Sequence, residues 1–128
     1  MAAGTGKRVR ETIAGNISTP KTILMKSARD RDTNVAYNVA CNPNVPREAL
    51  TILAERRNIG ILVAVVRNKN TPEEALAKLA RNNNRNLRLL IAEHENTSRE
   101  TLEFLLLKAV KEADQKLAET VRLALAKQ

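Results

Sequence analysis

A period of 26 residues runs through this chain and limits its fold more than any other feature. Thr19-Pro20, Val45-Pro46 and Thr71-Pro72 stand one period apart, and Thr97-Ser98 falls on the same step. Asn16, Asn42 and Asn68 precede them, with His94 in fourth place; Ser18, Asn44, Asn70 and Asn96 form a second polar column. The apolar columns are Leu24, Leu50, Leu76, Leu102; Ala28, Ala54, Ala80 and then Leu106; Val35, Ile61, Leu87; and Val39, Val65, Ile91, Leu117. A mostly small column, Ala40, Val66, Ala92, Ala118, follows. The register defines four units, 16–41, 42–67, 68–93 and 94–119, between an N-terminal extension or cap, 1–15, and a tail, 120–128. Units this short bury an apolar face only by stacking on one another, so the chain is expected to be a repeat array.

Within a unit the pattern is helical. Thr71-Pro72-Glu73-Glu74 reads as a helix start, with Thr71 as N-cap, Pro72 in the first turn and Glu74 closing a capping box. Thr97-Ser98-Arg99-Glu100 follows the same logic without proline, and Val45 predicts a weaker cap. Leu76, Leu79 and Ala80 then lie on one helical face. The polar stretch Arg81–Arg85 ends that helix, and a second short helix is predicted from about Asn86 to Ala92. Asn42-Pro43-Asn44 and Asn68-Lys69-Asn70 supply turns into the next unit.

The remaining composition agrees with stacked helices. The chain has 128 residues, one domain's worth, and its aromatic residues, Tyr37 and Phe104, amount to only 2%, so Leu, Ile, Val and Ala must make the core. A single cysteine, Cys41, excludes an internal disulfide and a four-thiolate metal site. No apolar run approaches the ~18 residues of a membrane span. The N-terminal MAAGTGKRVRETIAG lacks the apolar segment of a secretory signal, so a cytoplasmic location is expected.

The period is shorter than that of tetratricopeptide or ankyrin repeats, and the strand pattern of ordinary leucine-rich repeats is missing. The motifs Leu-Ala-Arg-Asn (79–82), Ala-Arg-Asp-Arg-Asp-Thr-Asn-Val (28–35) and Val-Ala-Cys-Asn-Pro-Asn-Val-Pro (39–46) resemble the leucine-rich repeat variant family, and Ile91-Ala92-Glu93 and Thr71-Pro72-Glu73-Glu74 agree. The resemblance covers about 16–119. It implies an all-α fold: a right-handed solenoid alternating α with 3₁₀ or short α segments. It implies no general catalytic activity. One member of the family carries an iron–sulfur cysteine cluster ahead of its repeats; this sequence has no such cluster, so no cofactor is expected.

The last unit departs from the rest. Leu105-Leu106-Leu107-Lys108-Ala109-Val110 runs on where a polar connector should be, and Leu102, Leu106, Val110, Ala113, Leu117, Val121 and Leu125 suggest one apolar face. Residues 98–126 are therefore predicted as a longer C-terminal cap, either one helix or two joined near Lys111. Residues 1–8 are expected to be disordered, with a short cap helix over 9–15.

Net charge is +8. The extension and each of the first three units contribute +2, the fourth unit −2 and the tail +2. Cations recur at the junction between the two segments of each unit: Arg29 and Arg31, Arg56 and Arg57, Arg81 and Arg85, Lys108 and Lys111. With units about 10 Å apart these would form a basic ridge about 30 Å long that could meet phosphates or an acidic surface. The competing reading is an ordinary solvated surface, since junctions are exposed and Asp30, Asp32 and Glu55 partly neutralise the ridge. Two aromatics provide no stacking platform for single strands, which leaves backbone-directed duplex binding.

Other candidates point away from catalysis. Gly4-Thr5-Gly6-Lys7 lacks the first glycine of a phosphate loop, and Arg8 stands where Ser or Thr belongs. His94 sits in a turn column, Cys41 ends a helix as a partly exposed thiol, and Glu48, Glu73 and Glu74 suit helix first turns. The sequence thus reads as a non-enzymatic binding module with a protein partner, or alternatively as a duplex nucleic-acid binder using the basic edge. Arg56 and Arg57 are both expected to be exposed and dispensable for stability. Oligomeric state is left open.

Overall fold

A computed structural model of the chain describes residues 3–128, with side chains from Gly6 onward. Every regular element among the described residues is an α-helix: α1 (Ala3–Gly15), α2 (Lys21–Ser27), α3 (Thr33–Cys41), α4 (Arg47–Leu53), α5 (Ile59–Arg67), α6 (Glu73–Leu79), α7 (Arg85–Glu93), α8 (Arg99–Lys111) and α9 (Gln115–Ala126). The helices form two compact units, one ending at Thr71 and the other beginning at Pro72. In the first, α3 packs on both α1 and α5, and α2 on α4. In the second, α9 packs on both α7 and α8. Within each unit, packing of a helix on the next but one recurs, as in α1–α3, α3–α5 and α7–α9, while α8 and α9 also pack directly as neighbours.

The apolar columns are the cores. Leu24 and Leu50 in the first unit and Leu76 and Leu102 in the second are at most 1% exposed. Val35, Val39, Ile61 and Val65 fill the first core beside them, and Leu87, Ile91 and Leu117 the second. The 3₁₀ segments expected from the resemblance are absent among the described residues. A nine-residue helix such as α3, α5 or α7 completes two α turns. Bonds of i→i−3 type are confined to helix ends and turns, such as Arg29 N–H to the Lys26 carbonyl.

The helix starts differ from expectation. Pro20, Pro46 and Pro72 are themselves the N-cap residues of α2, α4 and α6, and none offers a side-chain acceptor. Thr71 is no N-cap: it is buried, and its hydroxyl donates back to the Val65 carbonyl at the end of α5. Thr19 and Thr97 donate likewise to Ile13 and Ile91. Each of these carbonyls also accepts the backbone N–H three residues on, so the hydroxyl is a second donor at the helix C-terminus. Val45, 3% exposed, fills the same place without that bond. The cap of α8 is Ser98, one residue past the expected Thr97, and its hydroxyl accepts from the Thr101 N–H. The second helices are the well-capped ones: Asp32, Asn58, Asn84 and Asp114 each accept from a backbone N–H of the first turn.

Both ends depart from the sequence reading. Helix α1 begins at Ala3, so residues 3–8 are helical; positions 1 and 2 of the expected disordered stretch lie outside the described residues. At the other end α8 stops at Lys111, and α9 starts at Gln115 where the spacing assigns 111. Leu117 thus stands three residues past its cap, as Leu87 does, and does not take the place of Ile91. The buried face of α8 is Leu102, Leu105 and Ala109; Leu106 is half-buried and Val110 is 60% exposed. A run of i+4 steps drifts about 40° per step around a helix of 3.6 residues per turn, so it leaves the core within two turns. The stop is a Schellman motif: Asp114 N–H donates to the Ala109 carbonyl and Ala113 N–H to Val110. Ala113 carries it with φ 55°, in the left-handed region that favours glycine.

Candidate functional site

The turns show what holds the first unit together. Asn42, 1% exposed, donates its amide to the carbonyls of Ala14 and Asn16, both at 2.9 Å, while its Oδ1 accepts from the Asn44 N–H. Asn68 repeats this on Ala40 and Asn42, at 3.0 and 3.3 Å, with Asn70 as its turn partner. The second polar column does the same one step outward, with Asn44 on Ile17 and Asn70 on Pro43. One amide both closes its own turn and fastens that turn to the preceding one, which is why the columns are asparagine. Asn16 closes its turn by accepting from the Ser18 N–H. In the second unit His94 keeps the turn function, accepting from the Asn96 N–H at Nδ1.

The eight junction cations do not form one equivalent set. Arg56 is half-buried, and its Nη1 donates to the carbonyls of Ala28 at 3.3 Å and Asp30 at 3.0 Å, so it is a structural clamp and not a dispensable surface residue. Arg85 holds Asp114 through two bonds of 2.6 and 3.0 Å. Lys108 lies 3.7 Å from Glu112, and Arg81 lies over the Phe104 ring, 5.2 Å from its centroid. Arg29, Arg31 and Arg57 in the first unit, and Lys111 in the second, are exposed and make no ion pair among the described residues. The Arg56 clamp brings the junction of the second repeat against the backbone at Ala28 and Asp30, next in the chain to Arg29 and Arg31. The acids beside them pair with α1: Asp30 with Arg10 at 2.8 Å and Asp32 with Lys7 at 3.6 Å. Partial burial works against ionisation of Asp32, yet the N–H groups of Asn34 and Val35, together with Lys7, leave its carboxyl below the usual range. Lys7, from the loop-like Gly4-Thr5-Gly6-Lys7, is thus a helix residue with a structural partner.

Sequence reasoning missed Arg88. It is 3% exposed in the second core and donates to the Asn82 carbonyl at 3.1 Å, the Asn83 carbonyl at 3.1 Å and Glu112 Oε1 at 2.9 Å. Its column supplies the signal: Ala36 and Leu62 occupy the same place, so a cation there must be buried and needs partners. Arg88 holds the Glu112 carboxyl below its ordinary range, and Arg85 does the same to Asp114.

A groove opens between α3 and α5, with a volume of about 340 Å³. Ala40, Pro43, Val63 and Ala64 give it an apolar lining, Tyr37 and Cys41 one wall, and Arg67 and Lys69 a basic rim. The neighbouring exposed Cys41 thiol pushes the Tyr37 hydroxyl above its ordinary pKa, with nearby Arg67 opposing the shift. The second unit has its own groove beside α9, of about 500 Å³, where Glu93 and Glu95 join His94 and Leu123. No cluster of metal-ligating side chains occurs among the described residues, and no helix is long and apolar enough to cross a membrane.

No known protein family, curated protein or solved structure matches this chain.

Proposed function

We propose that this chain is a non-enzymatic binding module that presents a rigid basic surface to an acidic protein partner in the cytoplasm. In this reading it is a member of the leucine-rich repeat variant family, a right-handed solenoid of four 26-residue units. The observation that supports it is how cations are used in the first unit. The turns of that unit are fastened by neutral asparagine amides, and Arg29, Arg31, Arg57 and Arg67 remain exposed. The unit carries twelve basic against five acidic residues, a surplus of +7. Such a surplus attracts and orients acidic surfaces.

The test is retention from nuclease-treated host lysate on the immobilised full chain, followed by titration of each purified retained protein. An acidic protein that binds and is released by salt supports the reading; no such protein overturns it. The exposure of Arg29, Arg31 and Arg57 favours a second reading, contact with duplex phosphates. Duplex binding whose log affinity falls linearly with log salt, and which drops in Arg29→Ala/Arg31→Ala/Arg57→Ala, would establish that one instead.

A further inference from the structure

We infer that the groove between α3 and α5 receives an apolar side chain of an acidic peptide segment, whose neighbouring carboxylate pairs with Arg67. The inference rests on the acidic-partner reading and assigns it a place. With about 340 Å³, the groove lies at the small end of ligand sites, enough for a side chain or two but not for a folded face. Its lining is apolar, and none of its lining residues is acidic. Arg67 stands exposed at the C-terminal end of α5, one period beyond Cys41, and makes no ion pair among the described residues.

The groove is also held in shape. Asn70 donates across it to the Pro43 carbonyl at 3.0 Å, and both residues line it, so little ordering remains for a ligand to impose. Gly60 keeps one wall low within α5, at a cost of about 0.5–1 kcal/mol relative to alanine. A Cβ there would also come 3.1 Å from the Asn58 Oδ1 that caps the helix. Tyr37, 45% exposed, offers an aromatic face with a polar tip, a composition common in binding surfaces. A phosphate backbone would satisfy Arg67 but leave the apolar lining uncovered. An acidic peptide with one large apolar residue satisfies both.

Cys41 makes the occupant observable, because it is the sole cysteine, is exposed and lines the groove. The probe is a short fluorescein-labelled peptide of Glu and Asp with one central Phe, titrated by anisotropy against the full chain, alongside the rate of Cys41 modification by Ellman's reagent. The expected results are saturable binding, protection of Cys41 at saturation, and affinity about tenfold weaker for Arg67→Glu, as one reversed charge contact at a rim gives. Prior alkylation of Cys41 with N-ethylmaleimide should block the peptide without any substitution. Equal binding by Arg67→Glu, with Cys41 reacting at its free rate, would overturn the groove while leaving an acidic partner elsewhere on the surface. Equal affinity for a peptide with Ser in place of Phe would overturn the apolar anchor. If the peptide fails to bind while retained acidic proteins do, the groove assignment alone falls; if neither binds, both readings fall.

Discussion

The two units are built from the same helix pairs but are fastened differently. In the first, asparagine amides reach backbone carbonyls of the preceding turn, Arg56 reaches the Asp30 carbonyl, and the ion pairs Arg10–Asp30 and Lys7–Asp32 tie α1 to the segment that starts α3. In the second, Arg85 and Arg88 close on Asp114 and Glu112 at the α8–α9 corner, and Arg81 lies on Phe104. Ten basic and nine acidic residues leave the second unit at +1, against +7 for the first. A turn fastened by neutral amides leaves its cations at the surface; a corner fastened by ion pairs consumes them. The same contrast marks the grooves, since the column of Cys41 and Arg67 continues as Glu93.

The sharpest way to break the comparison is to remove each fastener. Arg88→Ala should destabilise the second unit by about 3 kcal/mol, read by urea unfolding, because it strips a buried charge-assisted network and opens a cavity. Asn42→Ala should cost the first unit about 2 kcal/mol by the same measurement, since two carbonyls and a turn lose one donor–acceptor group. A cost for Asn42→Ala that changes strongly with salt would contradict the neutral character of that ladder. Ala113→Gly should stabilise the α8–α9 corner by about 1 kcal/mol, by relieving the left-handed conformation of a residue with a Cβ.

Acid should weaken the α8–α9 corner of the second unit and, through Asp32, the Lys7 contact of the first. Asp114 and Glu112 have lowered pKa values in the folded chain, so their contribution is present above the unfolded carboxylate range of about 4 and is lost as pH falls below it. Asp114→Asn should flatten the acid limb of the second unit's unfolding curve, followed by near-ultraviolet or amide-exchange signals, and leave the asparagine-ladder turns of the first unchanged. The smallest expected effect distinguishes neighbours: Arg57→Ala should stay within about 0.5 kcal/mol of the parent, whereas Arg56→Ala should cost about 1 kcal/mol through its two carbonyl bonds.

That last pair shows where sequence reading stops. Adjacent arginines at a junction look alike in a sequence, yet one turns inward to carbonyls and the other faces solvent. The apolar columns were legible because each recurs at fixed spacing and must be buried: Leu24, Leu50, Leu76 and Leu102 all lie in a core. The asparagine turns were legible for the same reason. Thr71 was misread because a Thr-Pro step before Glu-Glu satisfies the rules for a cap, while the hydroxyl's actual acceptor, Val65, belongs to the helix already finished. Arg88 was hidden by treating cations as surface residues instead of asking which column they occupy. The α8 face was misplaced by following i+4 steps beyond their angular range. Of the groove, only its members' periodic positions were visible; that Gly60, Val63 and Arg67 meet Tyr37 and Cys41 depends on α3 lying against α5.

The amides of Asn42 and Asn68 point toward the N-terminus, at backbone that precedes them in the chain. Their bonding partners have therefore already left the ribosome when each asparagine emerges. Synthesis proceeds from the same end, so each new loop of the first unit can be latched as it appears, without waiting for anything downstream.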